Sequence, residues 1–98
     1  MFNRVLSLIE DETEVDRNLI LSGNKREEVV DARALLIYIL HEQGMYPTKI
    51  AELSGICARC IPFFILRFKD RMESRKILGI NYERVQKKLR EIDENTPL

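Results

Sequence analysis

The chain has 98 residues, of which 45% are hydrophobic and 33% charged, and its formal net charge is zero. These values fit one small soluble domain with a single modest core. The longest apolar run, Ala34 to Leu40, is too short to cross a bilayer. With two cysteines and no export signal, the chain is expected to be cytoplasmic, where thiols stay reduced.

The charges are distributed unevenly along the chain. Acidic residues dominate from Met1 to Gly23, and basic residues dominate from Arg59 to Arg90. One face or end of the molecule is therefore expected to attract phosphate groups. The alternative is that these charges form solvated helix faces, paired with neighbouring acids.

Three helices are predicted in the first half of the chain. Apolar residues at helical spacing predict a helix that begins at Phe2 and breaks after Glu12. Thr13 is expected to cap a short second helix. A central helix is predicted over 27–42, with apolar residues on most of its circumference, and Gly44 is expected to end it.

Three more helices are predicted in the second half. The first is short and opens with Pro47, a residue that the first helical position tolerates. Gly79 is expected to end the next helix, and Asn81 to cap the last one. No segment alternates with period two, so residues 1–98 are predicted to form a single all-α domain of about six helices. The three helices of the second half are predicted at 47–54, about 58–78 and about 82–92, and a polar tail is predicted at 93–98.

Two of these helices, joined at a glycine, have the pattern of a helix-turn-helix motif over about 47–71. With Pro47 as the first position, Gly55 falls at the turn, where a positive φ is needed. Ala51 is small enough to let the helices cross closely. An ordinary helical hairpin remains the alternative. The apolar positions of the motif hold Ile50, Ile56, Ile61 and Phe64.

The only cysteines, Cys57 and Cys60, are spaced C-x-x-C. A structural zinc site built from thiolates needs three or four of them, and His41 is the only histidine. A thioredoxin-like redox pair follows a strand, and none is predicted here. The pair is therefore interpreted as two small, semi-buried residues, with no metal or cofactor expected. No catalytic constellation or small-molecule site is evident either.

The segment NKREEVVDAR, residues 24–33, resembles the basic loop and following helix of the DNA-binding domain of the bacterial replication initiator DnaA. The similarity covers roughly Phe2 to Arg75 and implies a Trp-repressor-like helix-turn-helix fold. It also implies that the basic loop enters the minor groove, that the start of the first motif helix lies near phosphates, and that Arg33 reaches the DNA backbone. The residues concerned are Lys25, Arg26, Arg33, Thr48 and Lys49.

The chain departs from that family in its recognition helix. Where the family has Arg-Asp-His-Ser/Ala-Thr-Val, residues 56–61 read ICARCI, and only Arg59 is left to read bases. No phosphate-binding loop of an ATPase is present. Phe63 and Arg67 are expected to add contacts to the DNA. The sequence thus predicts a small accessory or regulatory protein that binds double-stranded DNA. The alternative is a protein-interaction module on the same scaffold, which presents Cys60 and Phe63 to a partner.

Overall fold

A computed structural model describes the chain over residues 1–95, with side chains to Ile92. This part of the chain is all-helical, as the sequence predicts. It contains six helices and no strand. They are α1 (Phe2–Thr13), α2 (Arg17–Ile20), α3 (Glu27–Glu42), α4 (Pro47–Ser54), α5 (Ile61–Ser74) and α6 (Lys76–Asn95).

The central helix α3 forms the middle of the core and packs against each of the other five helices. Every side chain from Asp31 to Ile37 is buried. Burying one large aliphatic side chain contributes about 1.5–3 kcal/mol, so this stretch is the main source of hydrophobic stabilisation. The prediction that α3 is covered on most sides is confirmed.

Three aromatic rings join α3, α5 and α6. The fully buried Phe68 stacks on Tyr38, with ring centroids 4.2 Å apart, and meets the edge of Tyr82 at 5.5 Å. The Tyr82 hydroxyl donates to the Glu42 carboxylate at 2.6 Å. Burial, together with this hydrogen bond, raises the pKa of Tyr82 to about 12. The cluster fixes the position of α5, which corresponds to the second helix of the predicted motif.

The predicted boundary between the last two helices is wrong. α5 ends at Ser74 rather than near Leu78, and α6 begins at Lys76 after one extended residue, Arg75. Gly79 lies inside α6 and does not end a helix, because a glycine there costs only about 1 kcal/mol. Burial of Leu78, Val85 and Leu89 along the same helix outweighs that cost.

Two predicted caps also differ from the structure. Asn81 is a buried residue within α6 rather than its cap, and the helix continues to Asn95, into the predicted polar tail. Residues 96–98 of that tail lie outside the described part of the chain. Thr13 belongs to α1 and donates its hydroxyl to the Ile9 carbonyl at 2.6 Å. Asp16 caps α2 instead, accepting from the Asn18 amide at 2.7 Å.

Asp31 on α3 binds two arginines near the end of α5. Its nearly buried carboxylate accepts from Arg71 Nε at 2.7 Å and also from Arg75. Arg75 lies 3.1 Å from Glu27 as well, and its hydrogen bond to Asp31 raises the pKa of its guanidinium. These two cations hold the fold together and are therefore not free to bind phosphate.

Glu12 on α1 is expected to make stability depend on pH. Its side chain is 10% exposed and lies 2.5 Å from Lys88 Nζ and 3.7 Å from Arg84 on α6. The hydrogen bond from Lys88 lowers the pKa of Glu12 below its ordinary 4.5. The stabilisation is therefore present above the unfolded-state pKa and is lost as the pH falls through the folded-state pKa.

Lys88→Met is expected to lower the free energy of unfolding by about 1 kcal/mol at neutral pH and by less near pH 3. Urea denaturation at both pH values measures the difference. Lys87→Met removes the same charge from an exposed neighbour and serves as the control. An equal loss at both pH values in Lys88→Met would contradict this assignment.

Candidate nucleic-acid interface

The turn after α4 has the backbone that the motif requires. Gly55 ends α4 with φ 75° and ψ 4°, and its amide donates to the Ala51 carbonyl at 2.9 Å. An added Cβ would meet no neighbouring atom, so the requirement for glycine comes from the left-handed φ alone. The buried Ser54 donates to the Ile50 carbonyl at 2.6 Å and accepts from the Ile56 amide at 3.2 Å. These bonds explain how a polar residue fits a position that is usually apolar.

The segment between α4 and α5 is longer than predicted. It covers residues 55–60, and α5 begins at Ile61 rather than near Ala58. Pro62 therefore lies in the first turn of α5, where its missing amide hydrogen costs no helical bond. The Cys60 amide donates to the Cys57 carbonyl at 2.9 Å and closes a turn. Arg59 consequently lies exposed in this turn and not on a recognition helix.

The two cysteines are not semi-buried as predicted. Cys57 and Cys60 are both exposed free thiols. The reason is the turn at 58–60, which displaces both residues from the helix that was expected to bury them in part. The core-facing positions of α5 begin at Ile61, which is fully buried, and continue at the half-buried Phe64.

A cleft lies between the loop after α2 and the turn before α5, and we call it the basic-loop cleft. Lys25 and Ser22 line it from the loop, and Gly55, Cys57 and Cys60 line it from the turn. The fold thus brings the predicted basic loop next to the turn that carries Arg59. That is the arrangement a helix-turn-helix needs if loop and motif are to contact neighbouring parts of one duplex.

Arg33 holds the loop side of this cleft in place. Its side chain is buried, with 7% exposed, and its guanidinium donates to four backbone carbonyls. Burial lowers the pKa of this guanidinium. The structure thus places this group inside the protein, where it orders the loop before Lys25, and not toward the DNA backbone. The accepting carbonyls belong to Ile20 at 2.8 Å, Ser22 at 2.6 Å, Asn24 at 3.0 Å and Leu19 at 3.3 Å.

The other predicted basic contacts lie on the surface. Among the described side chains, Lys25 and Arg59 make no ion pair, whereas Arg26 lies 3.9 Å from Glu28. At the start of α4, Thr48 is exposed and Lys49 lies 3.8 Å from Glu52. Exposed pairs of this kind contribute at most about 1 kcal/mol, so phosphate can displace the carboxylates.

The outer face of α5 is partly apolar. Phe63 is 58% exposed and Leu66 is 77% exposed. The Arg67 guanidinium lies 5.8 Å from the centre of the Phe63 ring. Leu66 was not predicted as a surface residue. Ile61 and Phe68 are buried and lie about two helical turns apart, so they share the core-facing side of α5. Leu66 lies on the opposite side of the helix, and this spacing would have predicted its exposure.

Comparison with known proteins does not assign the chain to a family. No family model matches the chain, and no curated protein matches it either. Over the described residues, no three His, Cys, Asp or Glu side chains are grouped so that they could hold a metal ion. No helix in the same part of the chain has the length and apolar character needed to cross a membrane.

Proposed function

We propose that this chain is a small DNA-binding protein in which the helix-turn-helix and the basic loop contact adjacent parts of one duplex. The observation that carries the proposal is the basic-loop cleft, which has Lys25 on one wall and the turn around Arg59 on the other. Two unpaired cations on facing segments give a surface that follows a phosphate backbone. The resemblance of residues 24–33 to the basic loop and helix of the DnaA domain supports the same arrangement.

In this arrangement Arg59 enters the major groove, where its guanidinium can donate two hydrogen bonds to the O6 and N7 atoms of guanine. Lys25 and Arg26 contact the neighbouring backbone or minor groove, and Thr48 and Lys49 contact phosphates at the start of α4. Most of these contacts carry no sequence information, because phosphates are the same at every base pair. The protein is therefore proposed to bind duplexes with modest sequence preference.

The binding is expected to weaken steeply with salt. If about four phosphates are neutralised, the affinity falls about 100-fold between about 50 and 200 mM salt. Fluorescence anisotropy with a labelled mixed-sequence duplex measures this slope. Absence of binding at the lower salt concentration would overturn the proposal.

A second candidate, a protein-interaction module, is favoured by the apolar outer face of α5. Phe63 and Leu66 are both more than half exposed there, and the acidic Asp70 lies on the same helix close to Arg67. Exposed apolar side chains rimmed by charges are typical of protein contact sites. A carboxylate on that face also disfavours close approach of phosphate. This candidate predicts no duplex binding in the salt series.

A further inference from the structure

The turn before α5 brings together the only two cysteines of the chain. Cys57 and Cys60 are the first and fourth residues of a turn closed by the Cys60 amide to Cys57 carbonyl bond of 2.9 Å. The ends of such a turn have Cα atoms less than about 7 Å apart. A disulfide needs a Cα separation of about 4.4–6.8 Å. The backbone therefore holds the pair at or close to bonding distance.

Both thiols are also accessible to a reagent in solution. Each cysteine is exposed, and both line the basic-loop cleft. Access to the attacking sulfur is one of the conditions that limit thiol–disulfide exchange, and buried cysteines are inert. Lys25 lines the same cleft, and its positive charge would attract a reagent that carries carboxylates.

We propose that Cys57 and Cys60 form a reversible dithiol–disulfide site that reacts with low-molecular-weight disulfides such as glutathione disulfide. One cysteine thiolate attacks a sulfur of the reagent, which forms a mixed disulfide and releases one glutathione thiolate. The second cysteine then attacks the protein sulfur of that mixed disulfide and releases the second glutathione. The two cysteines are oxidised by two electrons, and their two protons end on the two glutathione thiols.

The site does not depend on DNA binding, but it has a consequence for it. The new ring would enclose Ala58 and Arg59, so it constrains the turn that presents Arg59. A ring of so few residues adds little to global stability. If Arg59 contacts DNA, a step that rests on the proposed function, oxidation is expected to change duplex affinity severalfold. An unchanged duplex affinity after oxidation would count against the DNA contact of Arg59. It would not count against the thiol chemistry, which is measured without DNA.

The test is a titration of the reduced full chain with mixtures of oxidised and reduced glutathione, without DNA. After alkylation with N-ethylmaleimide, intact mass distinguishes the products. We expect a monomer that has lost two hydrogens and takes up no maleimide, and that excess reduced glutathione converts back. Cys57→Ser and Cys60→Ser are the matched controls, and each should stop at the glutathione adduct. Because both residues are exposed, these variants should retain the circular dichroism spectrum of the wild type.

Three results would overturn the proposal. One is a wild type that accumulates the glutathione adduct at the same ratios as the single-cysteine variants. Another is a wild type that remains reduced where those variants form adducts. The third is a product that consists mainly of disulfide-linked dimers. Each would mean that the turn does not bring the two sulfur atoms together.

Discussion

Replacing Arg33 with methionine is expected to lower the free energy of unfolding by about 3 kcal/mol. The guanidinium donates to the carbonyls of Ile20, Ser22 and Asn24 at 2.6–3.0 Å and lies within 3.3 Å of the Leu19 carbonyl. Methionine fills the space of the aliphatic stem but donates no hydrogen bond. The carbonyls of Ile20 at the end of α2 and of Ser22 and Asn24 in the loop after it then lose this partner, and each loss costs about 1 kcal/mol or more.

Thermal denaturation followed by circular dichroism measures this loss, and a drop of roughly 15 °C in melting temperature is expected. Arg33→Lys is the matched comparison, because it keeps the positive charge but lacks the planar fork of donors. Its loss should be smaller than that of Arg33→Met but still measurable. A change below about 1 kcal/mol in Arg33→Met would show that solvent or other groups satisfy these carbonyls.

Replacing Phe68 with alanine is expected to cost about 3–5 kcal/mol. The ring is fully buried between Tyr38 and Tyr82, and it joins α5 to α3 and α6. Removing it leaves a cavity and also removes the ring contacts, which contribute about 0.5–1.5 kcal/mol beyond burial. The two effects act together on the packing of α5 against α3 and α6.

Urea denaturation of Phe68→Ala, compared with Phe68→Leu, separates lost volume from lost aromatic contact. Leucine fills most of the space, so a cost of about 1–1.5 kcal/mol is expected for that variant. Equal costs for the two variants would contradict the account, because they would mean that volume has no part in the effect.

The all-helical content followed from local patterns in the sequence. Gly55 predicted a positive φ, and the apolar spacing of α3 predicted its burial; both are confirmed. The failures lie where tertiary contacts override such patterns. The sequence patterns predict helix boundaries at Gly79 and Asn81, yet burial of Leu78 and Val85 keeps α6 continuous through both residues.

The candidate site shows the same division. The sequence indicated which charges are available, but it could not show which of them the fold uses internally. The resemblance implied that Arg33 reaches the DNA backbone, and only the path of the loop after α2 shows that four carbonyls lie within its reach. The exposure of Cys57 and Cys60 likewise depends on where α5 begins, and the sequence placed that point three residues too early.

In the proposed mode of binding, the basic loop and the turn before α5 contact one duplex together. The most direct measurement is fluorescence anisotropy with a mixed-sequence duplex at low salt, comparing the double variant Lys25→Ala/Arg59→Ala with Lys87→Ala/Arg90→Ala. Both remove two exposed cations, but the second pair lies on α6. We expect the first variant to lose at least about tenfold in affinity and about two units of salt slope, with the second close to wild type. Equal losses in both variants, or no binding by the wild type, would contradict the claim.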